Sequence, residues 1–171
     1  MKSLHIGRYA LFLLVFLILP LSFSGLPSAM EKQNNAEGQI IFDHAQLTIH
    51  SQSHQHIFHV EIAQSHEQRA RGLMFRQEMP EKSGMLFLFD KMQMVTMWME
   101  NTYIPLDIIF LDRKGIIVHI ARSTVPQSRD HIQSMVPVIS VLEVNAGTAR
   151  KLNVQIGDRV DFPFFVDDRK S

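Results

Sequence analysis

The chain has no cysteine. That excludes disulfide staples, zinc-thiolate centres, thiol catalysis and a lipid-modified N-terminal cysteine. It also has no excess of charge: 17 basic residues stand against 17 acidic ones. A nucleic-acid partner wants a clustered positive surface, so none is expected. Catalytic signatures are missing as well. There is no serine nucleophile elbow, zinc-binding histidine motif, phosphate loop or dinucleotide fingerprint. No internal repeat is apparent. Tryptophan occurs once, as Trp98. With 171 residues, the chain is long enough for one domain whose core holds on packing alone.

What is present begins with a leader. Lys2, His5 and Arg8 precede an apolar run from Tyr9 to Leu21, broken by Pro20. Ser22-Phe23-Ser24 follows, with small residues where a signal peptidase reads. This is the layout of a secretory signal over residues 1–24. The run is shorter than the ~20 apolar residues of a spanning helix. An uncleaved N-terminal anchor is the alternative, and a second small-residue site ends at Ala29. Residues 25–38 read as a flexible tether, residues 39–166 as a single β-rich domain, and residues 167–171 as a frayed tail. Cleavage after Ser24 removes Lys2 and Arg8 and leaves a slight acidic excess. The expected location is periplasmic or secreted, with membrane contact only through the N-terminal segment if it stays uncleaved.

Residues 84–115 organise the domain. Met85 to Phe89 is a short continuous apolar run, the pattern of a strand buried on both faces. Met94 to Met99 and Leu106 to Leu111 read as two more strands. Asp112-Arg113-Lys114-Gly115 suits a hairpin turn with Gly in the left-handed position, returning through Ile116 to Ile120. Upstream, Leu47 to His50 and Ile57 to Ile62 form a hairpin pair with its tip near Ser51-Gln52-Ser53. Phe58, Val60 and Ile62 share one face, and Ile57, His59 and Glu61 the other. Ser65-His66-Glu67-Gln68 is a capping box for a helix running to about Met74. Gly72 inside it suggests a close approach of another backbone, and Leu73, Met74 and Phe75 should pack inward. Downstream, residues 126–137 read as a flap-like loop and Val138 to Val144 as a strand. Asn145 is placed to cap a short helix, and Arg159 to Phe162 make an edge strand closed by Pro163. The fold class is mainly β with an α+β tendency: an antiparallel β sandwich or curled barrel with two short helices.

Arg71-Gly72-Leu73-Met74-Phe75-Arg76, Gly84-Met85-Leu86-Phe87, Trp98-Met99-Glu100-Asn101-Thr102, Pro105-Leu106-Asp107, Leu142-Glu143 and Gly157-Asp158 follow one another in order. In these the chain resembles the family of small, mostly exported prokaryotic proteins known as domain of unknown function 192. The resemblance spans roughly Leu47 to Phe162. It implies a compact, mostly antiparallel β domain with short helices, and brings no established activity, substrate or cofactor. Two departures are visible. The family often carries Lys where this chain has Glu100, and cysteines after the position of Pro126, where this chain has Gln127 and Ser128. Neither a basic contact nor a thiol role carries over there.

Two carboxylates fall on otherwise apolar strand faces, Asp107 with Ile109 and Leu111, and Glu143 with Ile139 and Val141. Such a charge is costly unless it is paired or reaches a wet cleft. One reading makes a ligand pocket: Trp98 as apolar wall, Asn101 and Thr102 as hydrogen-bonding groups, Asp107 and Glu143 as polar anchors, Arg71 or Arg76 as an anion contact. The other makes both carboxylates structural, held by backbone donors or arginines. Six histidines lie between His44 and His66. Of these His54, His56 and His59 are candidate metal ligands, and so are the thioethers of Met97 and Met99. Strand alternation disperses the histidines, and Met is an ordinary core filler. Weak metal binding is expected, with no structural or catalytic metal and no cofactor. The leading expectation is an accessory or small-ligand-binding module of the cell envelope, whose partner is a small ligand or an envelope protein. The alternatives are a small hydrolase using Asp107 and Glu143, and copper or zinc handling.

Overall fold

A computed structural model describes residues 40–165 except residue 53. The leader, the tether and the C-terminal tail lie outside the described residues. The domain starts with the expected hairpin. Strand β1 (Asp43–Ser51) pairs antiparallel with β2 (His54–Ala63), with Leu47 opposite Phe58 and Ile49 opposite His56. Phe58, Val60 and Ile62 are buried, while Ile57 is half exposed on the opposite face. Helix α1 (His66–Arg71) follows, and its capping box is formed on both sides by Ser65 and Gln68. It stops three residues earlier than the sequence suggests. Gly72 is its C-cap at φ 47°, and its N–H donates to the Gln68 carbonyl. A positive φ ends a helix without side-chain cost only at glycine. The close neighbour of Gly72 is the Phe87 ring, not another backbone. Leu73 then turns inward, but Phe75 at φ 67° points out and is 44% exposed.

Strand β3 (Ser83–Gln93) runs parallel to β2, the one parallel pair in the main sheet. The apolar stretch after it makes only a two-residue strand, β4 (Thr96–Met97), not the strand over Met94 to Met99 that composition suggests. Val95 and Met99 turn into the core instead. Backbone groups there are met by Ser134 Oγ, which accepts from Val95 N–H, and by the Ser128 carbonyl, which accepts from Met99 N–H. Strand β5 (Leu106–Leu111) and β6 (Ile117–Ala121) form the second hairpin. The loop after it contains β7 (Ile132–Gln133), which pairs with β4. Strand β8 (Val138–Asn145) is an interior strand of the sheet, between β5 and β3. Helix α2 (Thr148–Lys151) and β9 (Arg159–Asp161) complete the chain. Asn145 does not cap α2; its side-chain N–H group reaches back to the Met79 carbonyl at 2.8 Å.

The seven strands run in the order β6-β5-β8-β3-β2-β1-β9. The sheet curls until its two edges meet. Ile116 bridges to Arg159, and Val160 N–H donates to the Gly115 carbonyl at 2.8 Å. Closing the edges removes the unpaired ladder groups that an open sheet exposes. An inner core collects residues from all seven strands, among them Ile49, Phe58, Leu86, Ile109, Ile117, Leu142 and Val160. A second core covers the outer face of β3, β5 and β8, where Met85, Phe87, Ile108 and Val141 meet Leu73, Val95, Met99 and Ile104. That double cover explains why β5 is buried at every position.

Gly84 sits where β3 crosses β8. A Cβ there would lie 2.5 Å from the Glu143 carbonyl oxygen. Gly84→Ala is expected to destabilise the domain by about 1–3 kcal/mol, the range for overpacking a well-filled site. Urea unfolding checks this, and an unchanged midpoint would show that the strands can part without cost.

Candidate functional site

The site lies on the outer face of the sheet. Helix α1 and the turn at Gly72 and Leu73 form one wall. The segment from Gln93 to Trp98, which leaves the sheet where the register of β3 against β8 breaks, forms the other. Between them is a cavity of about 300 Å³, with Phe87 and Glu143 contributed by the sheet itself. Its walls are mainly apolar, with Leu73, Val95, Met97 and Trp98 among them.

Glu143 is the unusual group. It stands on β8, an interior strand, opposite Met85 of β3 and Ile108 of β5. It is only 4% exposed. Among the described residues its carboxyl has no hydrogen-bond or ion-pair partner. Burial alone pushes its pKa from an ordinary 4.5 up to about 8. Near neutral pH it is therefore a protonated acid, able to donate one hydrogen bond and accept others.

Asp107 has the opposite character. It is fully buried, but both oxygens are satisfied by backbone. Oδ1 accepts from Ser123 N–H at 2.8 Å, and Oδ2 accepts from Ala149 N–H at 2.9 Å. The second bond caps α2, whose own N-cap, Gly147, has no side chain to do so. Asp107 pairs with Val144 in the register of β5 against β8, and Glu143 with Ile108. Side chains paired across a ladder share a face, and neighbours along a strand do not. The two carboxyls therefore point to opposite sides of the sheet, and the pair proposed for a hydrolase is not formed. Ile139, expected beside Glu143, packs in the inner core instead.

The other residues singled out from sequence separate in the same way. Arg71, Trp98 and Thr102 line the cavity with Glu143. Asn101 does not; it sits exposed in a turn at φ 56°, its carbonyl accepting from Phe75 N–H. Arg76 turns away to a double hydrogen bond with Glu61, Nη1 donating to Oε1 at 2.6 Å and Nη2 to Oε2. Arg69 lines the cavity but donates to the Leu88 carbonyl at 3.0 Å and lies over the Phe89 ring. Arg71 stacks on Phe75 at 4.6 Å and, among the described residues, has no carboxylate partner. Gln93 and Thr96 also line the cavity. Sequence reasoning did not assign them there, because the break in β3 that brings them in leaves no mark in the residue pattern.

The metal candidates are spread out. His54 and His56 stack with ring centroids 6.3 Å apart, and His56 Nε2 lies 3.0 Å from Ser51 Oγ. His59 is exposed on the other face of β2. Met97 is on the cavity wall, whereas Met99 is fully buried with its sulfur accepting from the Thr124 hydroxyl at 3.2 Å. Among the described residues no three histidine, aspartate or glutamate side chains converge in a metal-binding group. None of the described helices is long and apolar enough to cross a membrane.

Comparison with known proteins places this geometry among relatives. The family model for DUF192, described as uncharacterized ACR, matches residues 47–162. A crystal structure from Sinorhizobium meliloti 1021, described as a putative transcription regulator, is 41% identical. That match covers 72% of this chain and 97% of the other, with a TM-score of 0.71. A protein of unknown function from Novosphingobium aromaticivorans DSM 12444 is 38% identical. There the match covers 70% of this chain and 85% of the other, with a TM-score of 0.68. No curated protein matches the chain.

Proposed function

The chain belongs to the uncharacterized DUF192 family, and from that premise we propose that it is an exported module that binds a small, largely apolar ligand in the cavity over Glu143. The observation that carries this reading is the buried, unpartnered carboxyl at the cavity. Its oxygens are not sealed off by protein but open onto the cavity, so a ligand seated there can exchange hydrogen bonds with the carboxyl. A cavity of about 300 Å³ is at the small end of known ligand sites, which are mostly apolar with a few placed polar groups.

Export rests on the signal-like residues 1–24. A DNA-binding role, of the kind the name of the Sinorhizobium protein suggests for that protein, finds no basic excess here to rest on. A carboxylate-pair hydrolase finds no pair, because Asp107 and Glu143 face opposite sides.

The test uses Ala70, which is exposed at the mouth of the cavity. Ala70→Trp should plug the cavity and leave the cores intact. Full chains of wild type and variant, exported in a bacterial host, are denatured and their small-molecule extracts compared by mass spectrometry. A compound enriched with wild type and absent from the variant is expected. Identical extracts would overturn the reading. N-terminal sequencing of the same wild-type sample should find a mature chain beginning after Ser24.

A further inference from the structure

The charges around the cavity are one-sided. Two guanidinium groups, those of Arg69 and Arg71, line it together with His66. Among the described lining residues the only carboxyl is Glu143, which burial keeps protonated. The two arginines differ in what they are free to do. Arg69 is committed to the carbonyls of Gln64 and Leu88. Arg71 is exposed, rests on the Phe75 ring, and keeps its N–H donors free of any carboxylate among the described residues. It also borders a second cavity of about 490 Å³ that includes Phe42, Glu61 and Arg76. The carboxylate there, Glu61, is already taken by Arg76. An exposed guanidinium over an apolar cavity is a fixed, planar site for a carboxylate, sulfonate or phosphate.

We infer that the cavity takes an amphipathic anion, with an apolar body between Leu73, Phe87, Val95 and Trp98, its anionic group on Arg71, and a hydrogen-bonding atom reaching Glu143. This rests on the ligand-binding reading above and adds the class of ligand. A cationic ligand meets two fixed positive charges at the same cavity, and its own charge must be desolvated among apolar walls. An anion keeps its charge at the exposed rim and buries only its body. The volume suits a bicyclic aromatic ring system or a short acyl chain.

Trp98 is the only tryptophan in the chain and stands on the cavity wall. Its fluorescence therefore reports on this site. The probes are anilinonaphthalene sulfonate and phenylnaphthylamine, which share an aromatic body and differ in the sulfonate. Each is titrated into the full chain while energy transfer from Trp98 is followed in wild type and Arg71→Gln, and in all three proteins, including Ala70→Trp with its second tryptophan, affinity is read from the probe's own emission on direct excitation. The sulfonate is expected to bind about tenfold more tightly than the neutral amine, a difference equivalent to one good charge contact. Arg71→Gln should erase that difference and leave the amine unchanged, and Ala70→Trp should abolish both. If the two probes bind equally in wild type and Arg71→Gln, and Ala70→Trp still abolishes both, the anion class is wrong and the cavity reading stands. If neither probe binds, or the affinity is unchanged in Ala70→Trp, the cavity reading fails and this one with it. Arg71 is exposed, so folding of Arg71→Gln is not at issue, and circular dichroism confirms that Ala70→Trp is folded.

Discussion

Asp107→Ala is expected to lower the stability of the domain by about 2–4 kcal/mol, from one buried and one part-buried backbone donor left without a partner. The carboxylate joins three pieces of chain. It stands on β5, holds Ser123 after β6 at 2.8 Å, and caps α2 through Ala149 at 2.9 Å. The side chain has no exposed surface, and at the buried Ala149 N–H water cannot replace it. Denaturant unfolding measures the loss. For a domain of this size each kcal/mol shifts the melting temperature by about 3–5 °C. Asp107→Asn keeps one acceptor and sets an N–H2 group against the other donor, so it should fall between wild type and Ala. A change below about 0.5 kcal/mol in Asp107→Ala would mean that the carboxylate does not hold these segments. Because Asp107 faces away from the cavity, probe binding by whatever protein stays folded should be unchanged.

The second large effect is a pH dependence carried by Glu143. Its carboxyl titrates near the ordinary 4.5 when the chain is unfolded and at about 8 when folded. The folded state therefore holds the proton more tightly. Stability from this group is fully present below pH 4.5, is lost progressively as pH rises to about 8, and changes no further above that. Glu143→Gln keeps the shape but never ionises. The stability of wild type relative to Glu143→Gln should fall across that window by several kcal/mol, on the scale of 1.36 kcal/mol per unit of pKa shift. Thermal unfolding of both proteins from pH 4 to 9, each in excess buffer without ligand, gives the difference directly. A difference that stays flat with pH would show that Glu143 ionises on the surface of the fold like any other glutamate, and the cavity would lose its key polar group.

Much of the architecture was legible because it depends on near neighbours. Phe58, Val60 and Ile62 announce a half-buried strand through period-two alternation, and Ser65 with Gln68 announces a helix start through a local hydrogen-bond pattern. The continuous apolar run Met85–Phe89 pointed to burial on both faces, which two separate cores provide. Failures occurred where a distant contact overrode local preference. Met94 to Met99 has strand-forming residues, yet Val95 and Met99 gain more by turning into the outer core. Phe75 was expected inside, but Gly72 ends the helix and reverses the chain before it. Asn145 looked like a helix cap and instead ties the Met79 carbonyl, while Asp107 from another strand does the capping.

The candidate site shows the same division. Sequence alone marked Asp107 and Glu143 as costly carboxyls on apolar strands, and Arg71, Trp98 and Thr102 as pocket residues. It could not rank them or group them. Residue spacing states which side chains share a face within one strand, since alternate residues point the same way. How the faces of two strands relate depends on their register, and a slip of one residue inverts it. The register of β5 against β8 puts Asp107 opposite Val144 and Glu143 opposite Ile108. That single offset sends one carboxyl to backbone donors that satisfy it and the other to an apolar cavity that leaves it protonated and unpaired. Local chemistry chose the residue types; long-range pairing, which no local signal encodes, decided which of them became structure and which became site.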